Sequence, residues 1–309
     1  EKVKVAYSTS ISMDNVLVSP KLQNQYGQGR FDTSNNVLEY NIIDGGSWGP
    51  ALDNSQRERF DGVGTAPYSA NAGDFKDFYK TGTTLSNSII ISQAKEGFDF
   101  KLSYANLDNE SIQAGTEFKR NNFGFKGGID LNDKIRVSAK MDYINQQGTN
   151  RPELTDGQSN TVKALSLKPR NISNDLLFNN YSTSNGAPNN WAGSFIMNPY
   201  YTANTLLNED EVDRYIGLVS IEADLFKGLK VLGKISQDAS YTNAFIYRRQ
   251  GAFDIAPNGR LDEFNTVSKL RSYDLLFSYS NALSENFDLD ASFGLNRIES
   301  SFKQTVNTG

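Results

Sequence analysis

Residues 122–143, NFGFKGGIDLNDKIRVSAKMDY, carry the pattern that decides the fold. From Ile135 the apolar positions are Ile135, Val137, Ala139, Met141 and Tyr143, with Arg136, Ser138, Lys140 and Asp142 between them. Upstream, Phe123, Phe125, Ile129 and Leu131 alternate against Asn122, Lys126 and Asp130. A period of two places one set on each face of a β-strand. Between the two runs lies only Asn132-Asp133-Lys134. Polar residues of this kind supply the backbone angles of a tight hairpin turn. The stretch therefore predicts two antiparallel strands, each with one apolar and one polar face.

The same alternation recurs on both sides. Upstream it runs through Val3–Met13, then through Leu85, Ile89 and Ile91, then through Phe98, Phe100, Leu102 and Tyr104. Downstream it returns from Tyr215 to Leu225, Leu229 to Ile235, Tyr273 to Tyr279 and Phe287 to Leu295. This predicts about nine strands of roughly 10 to 13 residues, a length that crosses a bilayer when tilted. Four connections are tight: Lys95-Glu96-Gly97, Asn132-Asp133-Lys134, Lys227-Gly228 and Ser284-Glu285-Asn286. The other four are long, at 14–82, 107–120, 147–213 and 241–268. Long and short alternate strictly, as in an outer-membrane barrel with short periplasmic turns and long extracellular loops. On that reading the first strand runs outward and the chain breaks off outside, beyond the ninth. Nine strands in an open sheet would expose two long edges, so the remaining strands are expected in a longer chain.

Composition narrows the function. The 309 residues contain no His and no Cys, which removes disulfides, thiol nucleophiles, His bases and His-based metal sites. A net charge of −5 argues against a nucleic-acid partner. Aliphatic runs such as Ile89–Ile91 are far too short for a membrane helix. A transmembrane barrel hides its lipid signal in alternate residues, so this leaves a membrane open. The 15 Tyr and 19 Phe suit aromatic girdles, with Phe98 and Phe287 by the turns and Tyr104, Tyr143, Tyr215 and Tyr273 near the outer ends. Cross-strand ring packing in a soluble sheet would place them equally well.

Several segments resemble the SusC/RagA family of TonB-linked outer-membrane proteins. Asp74-Phe75-Lys76-Asp77-Phe78-Tyr79-Lys80-Thr81-Gly82-Thr83-Thr84, followed by Asn87, is similar to the family's "DFF-x-TG-x-T…N" approach to a barrel strand. Ser103-Tyr104-Ala105-Asn106 and Lys119-Arg120-Asn121-Asn122-Phe123 resemble its "SYSN…KRNNF" continuation. Tyr26-Gly27-Gln28-Gly29 and Ser47-Trp48-Gly49-Pro50-Ala51-Leu52-Asp53 resemble its "YGQG" and "SWGP-x-LDG" loops, with Asn54 replacing the last Gly. Asn198-Pro199-Tyr200 and Arg214-Tyr215-Ile216-Gly217 resemble its "NPY…R-x-x-G" pattern. The resemblance implies an all-β, antiparallel transmembrane barrel, about nine strands of a ~22-stranded plugged type, with the plug domain and last strands lying elsewhere. It implies import of oligosaccharides or peptides, a SusD-like lipoprotein lid, and energy from TonB acting through a missing N-terminal part. Neither an enzymatic reaction nor a cofactor is implied. An accessory barrel subunit of a surface or secretion complex needs the same wall, and a soluble adhesin is a third reading.

Candidate contacts are the aromatic residues of the long loops, Trp48, Trp191, Tyr200 and Tyr201, which suit stacking on cargo, docking a partner or pinning the loops together. Asn208-Glu209-Asp210-Glu211 lacks the spacing of a calcium loop and is read as a solvated charge run rather than a metal site. Asp288 and Asp290 share a strand face, but alternating polar residues are ordinary on a lumen wall. Gly27-Gln28-Gly29 and Gly62-Val63-Gly64 are loop glycines, not a nucleotide fingerprint. Residues 72–79 predict a short helix that packs Phe75 and Phe78 under the first long loop. Lumen-side Lys101, Lys126, Arg136, Lys140, Lys230 and Lys234 are offset by Asp99, Asp130, Asp142, Glu222, Asp224, Asp288 and Asp290, which indicates no cargo charge.

Overall fold

In a computed structural model, which describes residues 2–192, 195–252 and 257–309, the chain divides into a β-sheet wall and a cap. The wall begins with β1 (Lys4–Asp14). The chain then enters the cap, with hairpins β2 (Arg30–Asp32) to β3 (Val37–Glu39) and β4 (Gln56–Glu58) to β5 (Thr65–Pro67), and helix α1 (Asp74–Asp77). It returns as β6 (Gly82–Lys95), β7 (Phe98–Glu110), β8 (Glu117–Asn132) and β9 (Ile135–Thr149). A second excursion carries α2 (Thr161–Leu167), α3 (Asn174–Asn179) and α4 (Pro199–Thr205). Four long strands finish the wall: β10 (Leu207–Phe226), β11 (Leu229–Arg248), β12 (Arg260–Ser284) and β13 (Phe287–Thr308).

All nine wall strands are antiparallel and lie in chain order, β1-β6-β7-β8-β9-β10-β11-β12-β13. This is the up-and-down order of a partial β-barrel. The four predicted tight turns close as two-residue loops, Glu96-Gly97, Asp133-Lys134, Lys227-Gly228 and Glu285-Asn286. Gly97 and Gly228 sit at φ +68° and +85°, the left-handed region that such a turn demands. At Gly228 a Cβ would also lie 2.5 Å from the Ser280 carbonyl oxygen, so glycine is required twice over.

The strands outrun their sequence signal. The connections expected at 107–120 and 241–268 shrink to 111–116 and 249–259, because β7, β8, β11 and β12 continue into them. Asn208–Glu211, read as a loop charge run, lies inside β10. The reason is physical: at the cap end strict alternation breaks down, into the polar run Asp108-Asn109-Glu110 in β7 and the apolar run Phe245-Ile246-Tyr247 in β11, while backbone hydrogen bonding continues. Positions 193–194 in the second excursion and 253–256 in the last connection lie outside the described residues.

Burial is distributed unlike that of a soluble sandwich. Trp191, Leu177, Ile172, Ala164, Phe60 and Ile196 form one core cluster, Phe75, Phe78 and Leu165 a second, and Met197, Tyr201 and Ala252 a third. All of these are cap residues. The wall's apolar side stays open instead: Val219 is 50% exposed and Ile235 55%. Among the described residues, no second sheet covers the runs around Phe100, Val137 and Leu275. Each such side chain would gain about 1.5–3 kcal/mol from full burial, so a continuous face of them in water is untenable.

Candidate functional site

Register turns the scattered apolar positions into one surface. Leu102 faces Phe125, Phe125 faces Met141, Val219 faces Ala139 and Ile235, and Leu275 faces Leu295. One boundary of this surface is a line of rings across five successive strands. Centroids of Tyr104 and Phe123 lie 4.7 Å apart, Phe123 and Tyr143 6.2 Å, Tyr143 and Tyr215 4.8 Å, and Tyr215 and Tyr241 6.2 Å. On the same face, the next row is Thr9, Asn87, Asn106, Asn121, Asn145 and Asp213, each opposite its neighbour. Tyr104 Oη donates to Asn121 Oδ1 at 2.9 Å, and Tyr143 Oη to Asp213 Oδ1 at 2.6 Å. Asn106 donates to Asn121 at 3.1 Å, and Asn145 to Asp213 at 3.0 Å. Rings with their hydroxyls turned toward amides and carboxylate form a girdle, apolar on one side and wet on the other.

From Tyr215 to Leu225 the strand advances ~33 Å at ~3.3 Å per residue, and a tilt of ~40° reduces this to ~25 Å of height, the thickness of a lipid-facing band. Phe98 and Phe287 sit at the turn end as expected. Tyr273 does not mark the outer end: β12 continues to Arg260, and Tyr273 pairs with Ile235, below the ring line.

The opposite face is polar and internally paired. Arg136 bridges Asp99 and Asp130, the latter at 2.6 Å. Lys140 holds Asp142 at 2.7 Å, Arg214 holds Asp238 at 2.8 Å, and Lys230 reaches Asp224 at 3.5 Å. Asp288 and Asp290 lie exposed on this face, opposite Ala282 and Ser280. Asp210 is held by Arg151 at 3.0 Å, and Glu211 accepts from Asn145 and Gln147, so the former charge run is a strand-top network.

The cap explains the loop signatures. Gly49 N–H donates to the Gly27 carbonyl at 3.0 Å, and the Tyr68 hydroxyl donates to the Gln28 carbonyl at 2.9 Å. Buried Gln28 donates to the carbonyls of Ile42 and Asp44. The segments 26–29 and 47–53 are therefore one packed unit. Helix α1 forms within the expected 72–79 segment, but Phe75 and Phe78 pack against Leu165 and Tyr200 of the second excursion rather than under the first long loop alone. Asn198 caps α4 by accepting from Tyr200 N–H at 3.0 Å. Within the cap, Lys168 Nζ lies 2.5 Å from Asp74 Oδ2 and donates to Asn174 at 3.0 Å, with its side chain 1% exposed. Burial lowers the Lys168 pKa against the opposing pull of Asp74. Arg170 donates to Asn24 Oδ1 and to the Asn71 carbonyl. Nothing in the local sequence pattern marked Lys168 or Arg170, since Lys168 finds its carboxylate 94 residues away and Arg170 its acceptors 99 and 146 residues away.

The four candidate aromatic residues separate. Trp191 is 1% exposed within the largest cap cluster. Tyr201 is fully buried and donates to the Gly186 carbonyl at 2.9 Å. Neither ring presents a surface to a ligand or partner in this arrangement, because both fill the cap's interior. Tyr200 is half-buried, edge-on to Phe78 at 5.0 Å and to Phe178 at 5.4 Å, and desolvation pushes its hydroxyl up to about 12. Trp48 alone is open, at 78% exposure.

No protein-family model and no curated protein sequence matches this chain. Solved structures do. The fold is similar to a chain of the RagAB peptide importer in its closed-closed state, with TM-score 0.71 and 17% identity over 100% of this chain and 36% of that one. The open-open state of the same importer gives TM-score 0.67 and 16% identity over 100% of this chain and 35% of that one. A further structure of the RagAB peptide transporter gives 0.67 and 17%, over 100% and 36%. This chain thus spans about a third of the length of the solved chains it matches. The fold is that of part of a β-barrel wall.

Proposed function

We propose that this chain forms part of the wall and outer cap of an outer-membrane importer for oligosaccharides or peptides. In this reading a SusD-like lipoprotein closes the barrel from outside and TonB supplies the energy through a segment beyond these residues. The observation that carries it is the uncovered apolar face bounded by the Tyr104–Tyr241 ring line, with a charged face behind it. Such a wall separates lipid from a polar lumen. The likeness to a peptide importer supports transport over catalysis. Trp48, open on the cap, is assigned to contact with the lid or cargo.

The test is uptake by cells carrying the complete protein. Labelled oligopeptides and oligosaccharides should enter wild-type cells and not cells deleted for this gene, and removal of TonB should have the same effect. Unchanged uptake of every cargo after deletion would refute import.

A further inference from the structure

One register row on the polar face is chemically unlike the rest. Lys4 faces Ser92, Ser92 faces Lys101, Lys101 faces Lys126, and Lys126 faces Lys140. Four of five adjacent strands therefore put a lysine at the same level, across ~19 Å at ~4.8 Å per strand. Like charges placed directly opposite one another destabilise a sheet. Elsewhere this face avoids that, since Arg136, Arg214 and Lys230 each meet a carboxylate. Near the row, Asp142 is engaged by Lys140 and Asp99 by Arg136. Among the described residues, no carboxylate lies within ion-pair distance of Lys4, Lys101 or Lys126. The flanking positions on β7, β8 and β9 include Ser103, Gly124, Gly128 and Ser138; the Arg136–Asp99 pair lies over Gly128 and Asp142 over Gly124, so the flanking carboxylates are already engaged by Arg136 and Lys140. Lys101 is three residues from Tyr104, ~10 Å along the strand, which puts the row inside the lipid-spanning height.

We propose that this row is an anion-binding rung of the lumen wall and that the cargo it selects is acidic peptide. This rests on the import reading above. An extended peptide repeats its side chains at ~7 Å on one face, so successive carboxylates can each meet one or two lysines of the row.

The experiment uses the complete transporter, with its lid, in detergent. Two fluorescent peptides of equal length are compared, one with Glu at alternate positions and one with Gln there. Wild type should bind the Glu peptide about threefold to tenfold more tightly at low salt, with the margin shrinking as salt rises. The K101Q/K126Q double variant should lose the margin and keep its affinity for the Gln peptide. Equal binding of both peptides by wild type overturns the proposal while leaving import intact. So does an unchanged margin in the double variant, or competition by an oligouronate in place of acidic peptide. Leakage of a large antibiotic into cells carrying the double variant would assign the row to a resident protein segment and equally overturn it. Failure of both peptides to bind or enter counts against the import reading itself.

Discussion

Replacing Val219 by arginine should cost the folded barrel about 2–4 kcal/mol, whereas the same change at Ser220 should cost at most about 1. Val219 lies four residues from Tyr215, ~13 Å along β10, and a tilt of ~40° brings that to ~10 Å below the rings, near the middle of a ~25 Å band. Its cross-strand neighbours are Ala139 and Ile235, neither able to hold a guanidinium. Ser220 lies between Ser138 and Lys234 on the polar face, where a new cation meets water and one like charge. The assay is equilibrium unfolding of the complete protein from lipid vesicles in urea. The expected difference of about 1–4 kcal/mol is about 5-fold to 700-fold in the folding equilibrium, at roughly tenfold per 1.4 kcal/mol. Equal costs at the two positions would refute the facing of the sheet.

Four further outcomes concern the cap. Trp191→Ala should remove about 3–5 kcal/mol of local stability, seen as protease sensitivity of residues 150–206 with the barrel still folded. Asp74→Asn leaves Lys168 buried without its carboxylate and should cost about 3–5 kcal/mol, while D74L/K168M should recover most of it; equal losses would mean that the pair does not act as a unit. Burial pushes the hydroxyls of Tyr68 and Tyr200 up to about 12, so the stability they confer is present below pH 10 and lost between pH 10 and 12. Tyrosinate absorbance and near-UV circular dichroism should then change together in that window. Trp48→Ala should leave the fold intact and weaken lid association by about 1–2 kcal/mol, and an unchanged dissociation constant would remove Trp48 from the contact surface.

The wall was legible because its physics is local. Alternation in residues such as Ile135–Tyr143 and turns such as Lys227-Gly228 are set by neighbours in sequence, and both reappear in the structure. The ring line was legible only in part. Tyr104-Ala105-Asn106, Asn121-Asn122-Phe123, Tyr143-Ile144-Asn145 and Asp213-Arg214-Tyr215 each put a polar residue two places from a ring, but only the register shows them as one line. Tyr273 misled because β12 is 25 residues long and its outer third has no alternation to read. The lysine row was invisible for the same reason: Lys101, Lys126 and Lys140 look like ordinary alternating charges until pairing sets them side by side. Exposed aromatics in long loops gave no means of separating Trp48 from Trp191, since that difference depends on which loops fold onto each other.

The central claim is that one face of this sheet meets lipid and the other meets water. This chain contains no cysteine, so single cysteines can be placed at positions 215 to 225 of β10 and spin-labelled in vesicles, with any cysteines elsewhere in the complete protein removed. Collision with oxygen, which concentrates in lipid, should peak at every odd position, and collision with a water-soluble nickel chelate at every even one. A flat profile, or the opposite phase, would contradict the account.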